Sequence, residues 1–316
     1  MTRYFFLLFL FPLLFTCTDP VVPGFQLTSG LYLVEGIIAD QPGFSEVRIS
    51  RSENRSGRFL LLRVPGAIVS SVADDGEEVF WEEQEEEAGA FRPPAAFAAE
   101  TNRSYFLRVV APTGELIESK PELVPAAVPL TDVRLRFEQE AYFNVGLSRF
   151  VPAMTLLADF QDPAGVPNFY QFRFRKWQPE VVCISCGPRF RYREGECRDW
   201  RSNFVRWDYL CDGPCWTITQ STSLELFRDE FSDGNPISNV AVGRQDYVTG
   251  LAPGILFEAQ LLGITKTAFA YKRVFKEQTE GGGGLNAAFP TTLIGNLEVV
   301  DDVETVVLGY VNTAAV

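Results

Sequence analysis

The sequence predicts a mainly all-β protein built from two β-sandwich-like domains. Short apolar or alternating segments follow one another from Leu31 onward, and turn signals separate them at close spacing. A proline-rich stretch divides these segments into two groups, and a single segment near the C-terminus has helical periodicity. We therefore expect the second domain to carry one helix in its C-terminal region and a long cysteine-rich insertion.

The first residues have the pattern of an export signal. Arg3 precedes the apolar run Tyr4–Phe15, which is shorter than the roughly 20 residues that a membrane-spanning helix needs. The run leads through the letters LFTC to Cys17, a loose version of a bacterial lipobox, in which the cysteine is lipidated and becomes the first mature residue. We expect residues 1–16 to be a signal peptide and residues 17–29 a lipid tether. The alternative is an ordinary signal peptide with a chance cysteine at its end.

Residues 30–122 are expected to form an Ig-like β-sandwich domain. The stretch LYLVEGIIA is a largely apolar strand, and SEVRIS alternates. Two hairpins are predicted after them, one turning at Asp75-Gly76 and the other between Pro112 and Gly114. Short strands at this spacing are typical of sandwiches.

The stretch KPELVPAAVPL is interpreted as the connector, because its three prolines cannot lie inside a central strand or a helix. Residues 123–316 follow as a second β-rich domain. In NFYQFRFRKW, alternation puts the aromatic side chains on a core face and the polar ones on a wet face. The core set is Tyr170, Phe172 and Phe174, and the wet set is Gln171, Arg173 and Arg175.

One helix is expected from Thr267 to Thr279, with Thr267 as its N-cap. An apolar stripe would face the sheet, and the glycine run from Gly281 would end the helix. The stripe consists of Ala268, Tyr271, Val274 and Phe275. The last stretch, LEVVDDVETVVLGYV, is expected to form a final hairpin.

The cysteine-rich insertion is placed at residues 178–216. It carries the disulfide candidates Cys183, Cys186, Cys197, Cys211 and Cys215. An exported chain meets an oxidising compartment, so disulfides are expected, although their pairing stays open and one of the five cysteines is left over. The chain has no histidine, which excludes mixed Cys/His zinc sites. An all-cysteine zinc site and a redox-active pair remain as alternatives.

The charge is strongly acidic overall and unevenly distributed. A net charge of −13 argues against nucleic-acid binding. Ala73–Glu87 holds nine acids and no base, whereas Gln171–Arg206 holds nine bases against four acids. The basic stretch is interpreted as a surface for a partner or, alternatively, as ordinary solvated charge. Its partner-binding candidates are Arg189, Arg191, Arg193, Arg198, Arg201 and Arg206.

The residues that most catalytic sites need are missing. Without histidine there is no Ser-His-Asp or Cys-His nucleophile. We expect no catalytic residue, no metal site and no cofactor. A two-carboxylate hydrolase remains formally open, because acids are plentiful. Asp229–Asn235, DEFSDGN, is interpreted as a turn, since it lacks the alternating ligands of a calcium loop.

Several stretches together resemble a known family. They are LVEGIIAD, VRISRS, VPAAVPLTDVRLRF, NFYQFRFRKW, CRDW with CDGPCW, FSDGNPI and, most specifically, FKEQTEGGGG followed by IGN and VLGYV. They resemble the Bacteroidota cell-envelope lipoproteins grouped as domain of unknown function 4249. The resemblance implies a lipid-anchored protein of the outer membrane, on either its periplasmic or its cell-surface side. It supplies no catalytic residues.

The expected function is therefore non-enzymatic binding. By the resemblance, the protein would be an accessory partner of a TonB-dependent outer-membrane transporter, or would bind a ligand that the transporter imports. One alternative is a surface hydrolase that acts on glycan or peptide through carboxylates. Another alternative is a zinc-stabilised adaptor.

Overall fold

The computed structural model describes residues 29–56, 58–186, 190–193, 196–199, 206–221, 223–247, 254–280, 293–300, 302 and 305–316, with the main chain alone between 180 and 214. The N-terminal strands are β1 (Tyr32–Ala39), β2 (Glu46–Arg55), β3 (Arg58–Arg63), β4 (Ile68–Ala73), β5 (Glu78–Gln84), β6 (Glu87–Arg92), β7 (Ser104–Val110), β8 (Leu116–Ser119) and β9 (Glu122–Leu123). The later strands are β10 (Leu130–Asn144), β11 (Arg149–Gln161), β12 (Phe169–Cys186), β13 (Phe190–Arg193), β14 (Glu196–Asp199), β15 (Arg206–Gln220), β16 (Glu225–Arg228), β17 (Pro236–Asp246), β18 (Leu256–Ile264), β19 (Leu297–Val299) and β20 (Val307–Ala315). The helix α1 spans Lys266–Glu280. The mainly β class is confirmed.

The N-terminal strands have a sandwich-like arrangement around one core. Strands β20, β1, β2 and β6 lie side by side, and the ladder continues through β5 to β4, β7, β8 and β19. Val34 and Ile49 from the first group share a buried cluster with Leu107 and Ile117 from the second. Both predicted hairpins are confirmed, as β4 with β5 and β7 with β8.

A second core lies on the aromatic face of β12. The three-stranded sheet β10-β11-β17 packs there, with Phe160 of β11 against Tyr170 and Phe172 at ring distances of 5.0 and 5.9 Å. Phe174 is buried in the same cluster. The predicted core face of β12 is therefore confirmed, and its polar face points to the opposite side of the sheet.

The main sheet joins strands from both predicted domains. The order β12-β18-β20-β1 is continuous, and β20 pairs in parallel with the whole length of β1, with Val34 opposite Gly309. The expected C-terminal hairpin is wrong, because β19 pairs with β8 while β20 pairs with β1 and β18. The division of the chain into two domains, residues 30–122 and 123–316, stays a prediction.

Helix α1 packs across the sheet that contains β12, β18, β20 and β1. Its N-cap is Thr265, whose hydroxyl accepts the main-chain N–H of Ala268 over 3.1 Å, so the predicted cap at Thr267 is wrong. Ala268 and Phe269 are its buried residues, whereas Phe275 is 43% exposed. Among the described residues, no helix has both the length and the apolar character needed to cross a membrane.

The cysteine-bearing stretch continues two strands of the main sheet. β12 and β15 pair from Arg175 opposite Gln220 to Cys186 opposite Arg206, and the short hairpin β13-β14 lies between them in sequence. The described main chain therefore gives no support to a separate cysteine-rich insertion at 178–216. The pairing of β12 with β15 extends from the main sheet into this stretch.

Gly309→Ala tests the close approach of β20 to β1. Gly309 has a φ of +104°, and a Cβ there would lie 2.0 Å from the carbonyl oxygen of Val34. We expect the substitution to lower the free energy of unfolding by more than about 3 kcal/mol, because backbone must move in the middle of the sheet. Urea unfolding followed by circular dichroism measures the loss.

Gly66→Ala is the matched control. Gly66 also has a positive φ, +75°, but nothing lies within 4 Å of a Cβ there. It should cost only the backbone strain, about 1–2 kcal/mol. Equal losses in the two variants would contradict the steric explanation.

Candidate binding site

A cleft of about 510 Å³ lies between helix α1 and the polar face of the main sheet. Strands β1, β2, β12 and β20 supply its floor, and Tyr271, Lys272 and Phe275 of α1 supply its roof. Five cations and two carboxylates line it. The cations are Arg48, Arg92, Arg173, Arg175 and Lys272, and the carboxylates are Glu35 and Glu46. The cleft is thus locally cationic in a chain whose net charge is −13.

Strand register brings these residues together from distant parts of the sequence. Glu35 of β1 lies opposite Arg48 of β2 on one side and opposite Tyr310 of β20 on the other. In β12, the side chains of Gln171 and Arg173 alternate with the buried aromatic residues and so project to the cleft side. One sheet face therefore collects charge from β2, β1 and β12.

Three of the five cations have carboxylate partners. Arg48 and Arg92 both bind Glu46, each at 2.5 Å, and Arg48 also binds Glu87 at 3.0 Å. Arg175 lies 3.7 Å from Glu258, and its guanidinium stands over the Phe44 ring. These contacts offset the charge of Arg48, Arg92 and Arg175.

Arg173 and Lys272 have no such partners. Within the part of the chain that the structure describes, neither side chain makes a hydrogen bond or an ion pair. Burial lowers the pKa of Arg173, and the neighbouring Arg175 lowers it further. Burial lowers the pKa of Lys272 to about 8, the charge of Arg173 adds to the effect, and Glu122 and Glu35 oppose it. The two cations therefore carry charge that the described protein groups balance only in part.

Gln171 adds an unpartnered acceptor to the same cleft. Its side chain is 7% exposed, and its Oε1 atom is among the buried polar atoms of the described residues that lack a hydrogen-bond partner. Buried amide oxygens are almost always hydrogen-bonded in folded proteins. The wall of the cleft thus holds a buried, unpartnered acceptor two residues from the cation Arg173 on β12.

The helix that roofs the cleft is fixed by a buried carboxylate, Glu122. Thr267 of α1 donates to its Oε1 atom over 2.8 Å, and the Tyr310 hydroxyl donates to the same atom. The main-chain N–H of Thr313 donates to Oε2 over 3.3 Å. Burial raises the pKa of Glu122 above its ordinary value of 4.5, and the hydrogen bonds from Tyr310 and Thr267 oppose that rise.

The residues that the sequence nominated for function lie mostly elsewhere. Cys17, Arg189 and Arg201 are outside the described residues. The structure places the main chain of the other cysteine and arginine candidates in β12 to β15, and of these only Cys215, which is half-buried, has a described side chain. The disulfides and the arginine surface therefore stay predictions.

The acidic segments form structural contacts. In the acidic run, Asp75 and Glu77 bind Arg103, and Glu78 and Glu87 also have arginine partners on other strands. This agrees with the interpretation of the run as surface charge.

The predicted turn at 229–235 closes against a second loop through three carboxylates. Oxygen atoms of Asp162, Asp229 and Asp233 lie within 4.8 Å of one another. Carboxylate oxygen is the ligand type that calcium prefers. Each of the three nevertheless accepts a hydrogen bond: Asp162 from Tyr170 and Gly234, Asp229 from Asn168, and Asp233 from Gly165. The cluster fastens one loop to the other.

Comparison with known families gives one assignment. Residues 18–316 match the family described as Domain of unknown function (DUF4249). The chain belongs to this family. The membership in DUF4249 that the motifs predict is thereby confirmed over nearly the whole chain, whereas the bacterial group and the lipoprotein character stay predictions. No curated protein matches the chain.

Sequence patterns predicted the residues of the cleft only in part. Arg173 and Arg175 belong to the basic stretch that was expected to bind a partner, but alternation alone assigned them to a wet face. Lys272 and Gln171 carry no local signal, because their importance depends on α1 lying over β12.

Glu122→Gln tests whether burial raises the pKa of the Glu122 carboxyl in the folded protein. A carboxyl whose native pKa is raised binds more protons in the folded state above pH 4.5, so wild-type stability should fall as pH rises from 4.5 to the native pKa and then level off. The variant lacks this loss. Its free energy of unfolding relative to wild type should therefore rise across the same window, as measured by urea unfolding at a series of pH values.

Tyr310→Phe provides the companion measurement. It removes one donor to Glu122 and keeps the ring that packs 4.6 Å from Tyr271. The native pKa of Glu122 should rise further, which extends the window to higher pH. A difference between Glu122→Gln and wild type that stays constant from pH 4 to 9 (roughly the range set by carboxyl titration) would refute this description.

Proposed function

We propose that this DUF4249 protein is a non-enzymatic binding protein of the bacterial cell envelope that holds a small anionic ligand in the cleft beneath α1. One observation carries the proposal. Arg173 and Lys272 line the same cavity, and neither has an ion-pair partner among the described residues. The cavity volume, about 510 Å³, lies within the roughly 300–1,000 Å³ of small-molecule sites.

The energetics favour an anion at this position. Two cations in one partly buried cavity each make the other harder to keep charged. An anion bound between them offsets both costs and restores the lysine pKa toward its ordinary value of 10.5. Each pKa unit that is recovered on binding means that the anion binds the protonated lysine about tenfold, or about 1.4 kcal/mol, more tightly than the neutral lysine.

Sequence features support the envelope location. The apolar leader and the LFTC motif support lipidation at Cys17 and anchoring at the outer membrane. The resemblance to envelope lipoproteins supports an accessory role beside a TonB-dependent transporter, to which the bound anion would be handed. The basic stretch from Arg189 to Arg206 is the proposed partner surface.

Charge removal in the cleft tests the ligand site. We expect wild-type protein to bind at least one of glucuronate, glucose 6-phosphate, citrate and sulfate, and Lys272→Met or Arg173→Gln to weaken that binding about tenfold or more. Since Lys272 loses its proton near pH 8, wild-type affinity should fall as pH rises through that value. Isothermal titration calorimetry at pH 7 and pH 9 measures both effects.

Lys266→Met is the matched control on the same helix. Lys266 is exposed at the start of α1. Its replacement by methionine removes one lysine, as Lys272→Met does. Binding by Lys266→Met should equal that of wild type. Equal affinity for Lys272→Met and Lys266→Met would rule out the cleft as the anion site.

The anchor and the partner are tested in cells. Wild type should incorporate a labelled fatty acid, and Cys17→Ser should not, because the acceptor thiol is missing. Affinity purification from detergent-extracted membranes should bring down a TonB-dependent transporter. Deletion of residues 178–216 should abolish that association.

Thr18→Ser, next to the modified cysteine, serves as the labelling control and should keep the label. The deletion variant should also keep its label and remain in the membrane fraction. Unlabelled wild-type protein found in the cytosol would contradict the proposed envelope location. Unchanged co-purification of the deletion variant with the transporter would refute the proposed partner surface.

A further inference from the structure

The buried glutamine in the cleft indicates what else the ligand must carry. Gln171 is fixed on both sides, because β12 pairs there with β18 and β16, placing Gln171 opposite Leu262 and Leu226. Its Oε1 atom nevertheless has no partner among the described groups. An acceptor left unsatisfied in this way destabilises the protein, because the oxygen has lost its hydrogen bonds to water without replacement.

A donor from the ligand would remove this cost. Gln171 and Arg173 lie two residues apart on one face of β12 and line the same cleft. A ligand whose anionic group meets Arg173 therefore brings its neighbouring atoms near Gln171. An O–H or N–H at that position would satisfy the oxygen.

We infer, resting on the proposed anion-binding function, that the ligand is a hydroxylated organic anion of the sugar-acid or sugar-phosphate class. Its anionic group pairs with Arg173 and Lys272, and one of its hydroxyl groups donates a hydrogen bond to Gln171 Oε1. The aromatic side chains of Phe44, Tyr271 and Phe275 line the same cleft. They offer apolar surface to the C–H face of a ring.

The charge of the cleft selects the kind of donor. An ammonium group beside the anion, as in an amino acid, would lie among five cations and two carboxylates, where like charges repel it. A hydroxyl donates without adding charge. An anion with acceptors only, such as sulfate, would leave the glutamine oxygen unsatisfied and would lack a ring for the aromatic side chains.

Matched ligands separate charge from hydrogen bonding. With full-length protein in detergent, calorimetry is run with glucuronate, with cyclohexanecarboxylate, which keeps a ring and a carboxylate but has no hydroxyl, and with glucose, which has no charge. We expect glucuronate to bind about tenfold or more tightly than cyclohexanecarboxylate. Gln171→Met, which keeps an unbranched side chain, should shrink that ratio to less than about threefold. Glucose 6-phosphate shows whether the anionic group is a phosphate.

The outcomes distinguish the inference from the function on which it rests. If both acids bind wild type equally, the anion site stands and the inference about the hydroxyl is overturned. If no anion binds, or if glucose binds as tightly as glucuronate, the proposed function itself fails. The wild-type comparison decides these cases even if Gln171→Met does not fold, and Lys266→Met should keep the wild-type ratio.

Discussion

The buried carboxylate of Glu122 is the contact on which the arrangement of the cleft depends. It lies in the proline-rich connector, yet it accepts hydrogen bonds from α1 and from β20. A buried charge without an ion-pair partner is costly, and here three donors and the positive end of a helix offset that cost. Because Thr267 is held by Glu122, the start of α1 is fixed on the sheet. Lys272 lies five residues further along the helix, roughly 7.5 Å from Thr267, where the charge of Arg173 lowers its pKa.

Strand β12 has a different role on each of its faces. Its aromatic face completes a core with β11 and β17, and its main chain is paired with β18 on one side and with β15 and β16 on the other. Only side chains remain to respond to a ligand. Gln171 and Arg173 are therefore positioned by packing on the opposite face, and they do not have to be ordered when the cleft is filled. Such preorganisation lowers the entropic cost of binding.

Local sequence patterns were sufficient to predict many of the strands and hairpins, but they did not predict which distant strands pair with one another. Alternation identified the aromatic core face of β12, whereas Gln171 on the face predicted to be wet is buried, and turn residues such as Asp75-Gly76 identified the hairpins. The pairing of β20 with β1 joins residues about 275 positions apart, and no local rule specifies it. The N-cap of α1 is Thr265, not Thr267. The hydroxyl of Thr267 instead donates to Glu122, which lies 145 residues earlier in the sequence. Lys272 gained its significance from the same long-range contacts.

The contrast between the acidic surface and the cationic cleft bears on which anions the proposed site admits. The net charge of −13 repels a long polyanion along its whole length, since its segments must lie on the surface. A small anion inside the cleft is affected mainly by groups within a few ångströms, because salt screens exposed charges beyond about 8–10 Å. Arg173 and Lys272 act at that short range, with few described carboxylates to oppose them. The same distribution of charge therefore favours a small, enclosed anion over an extended one.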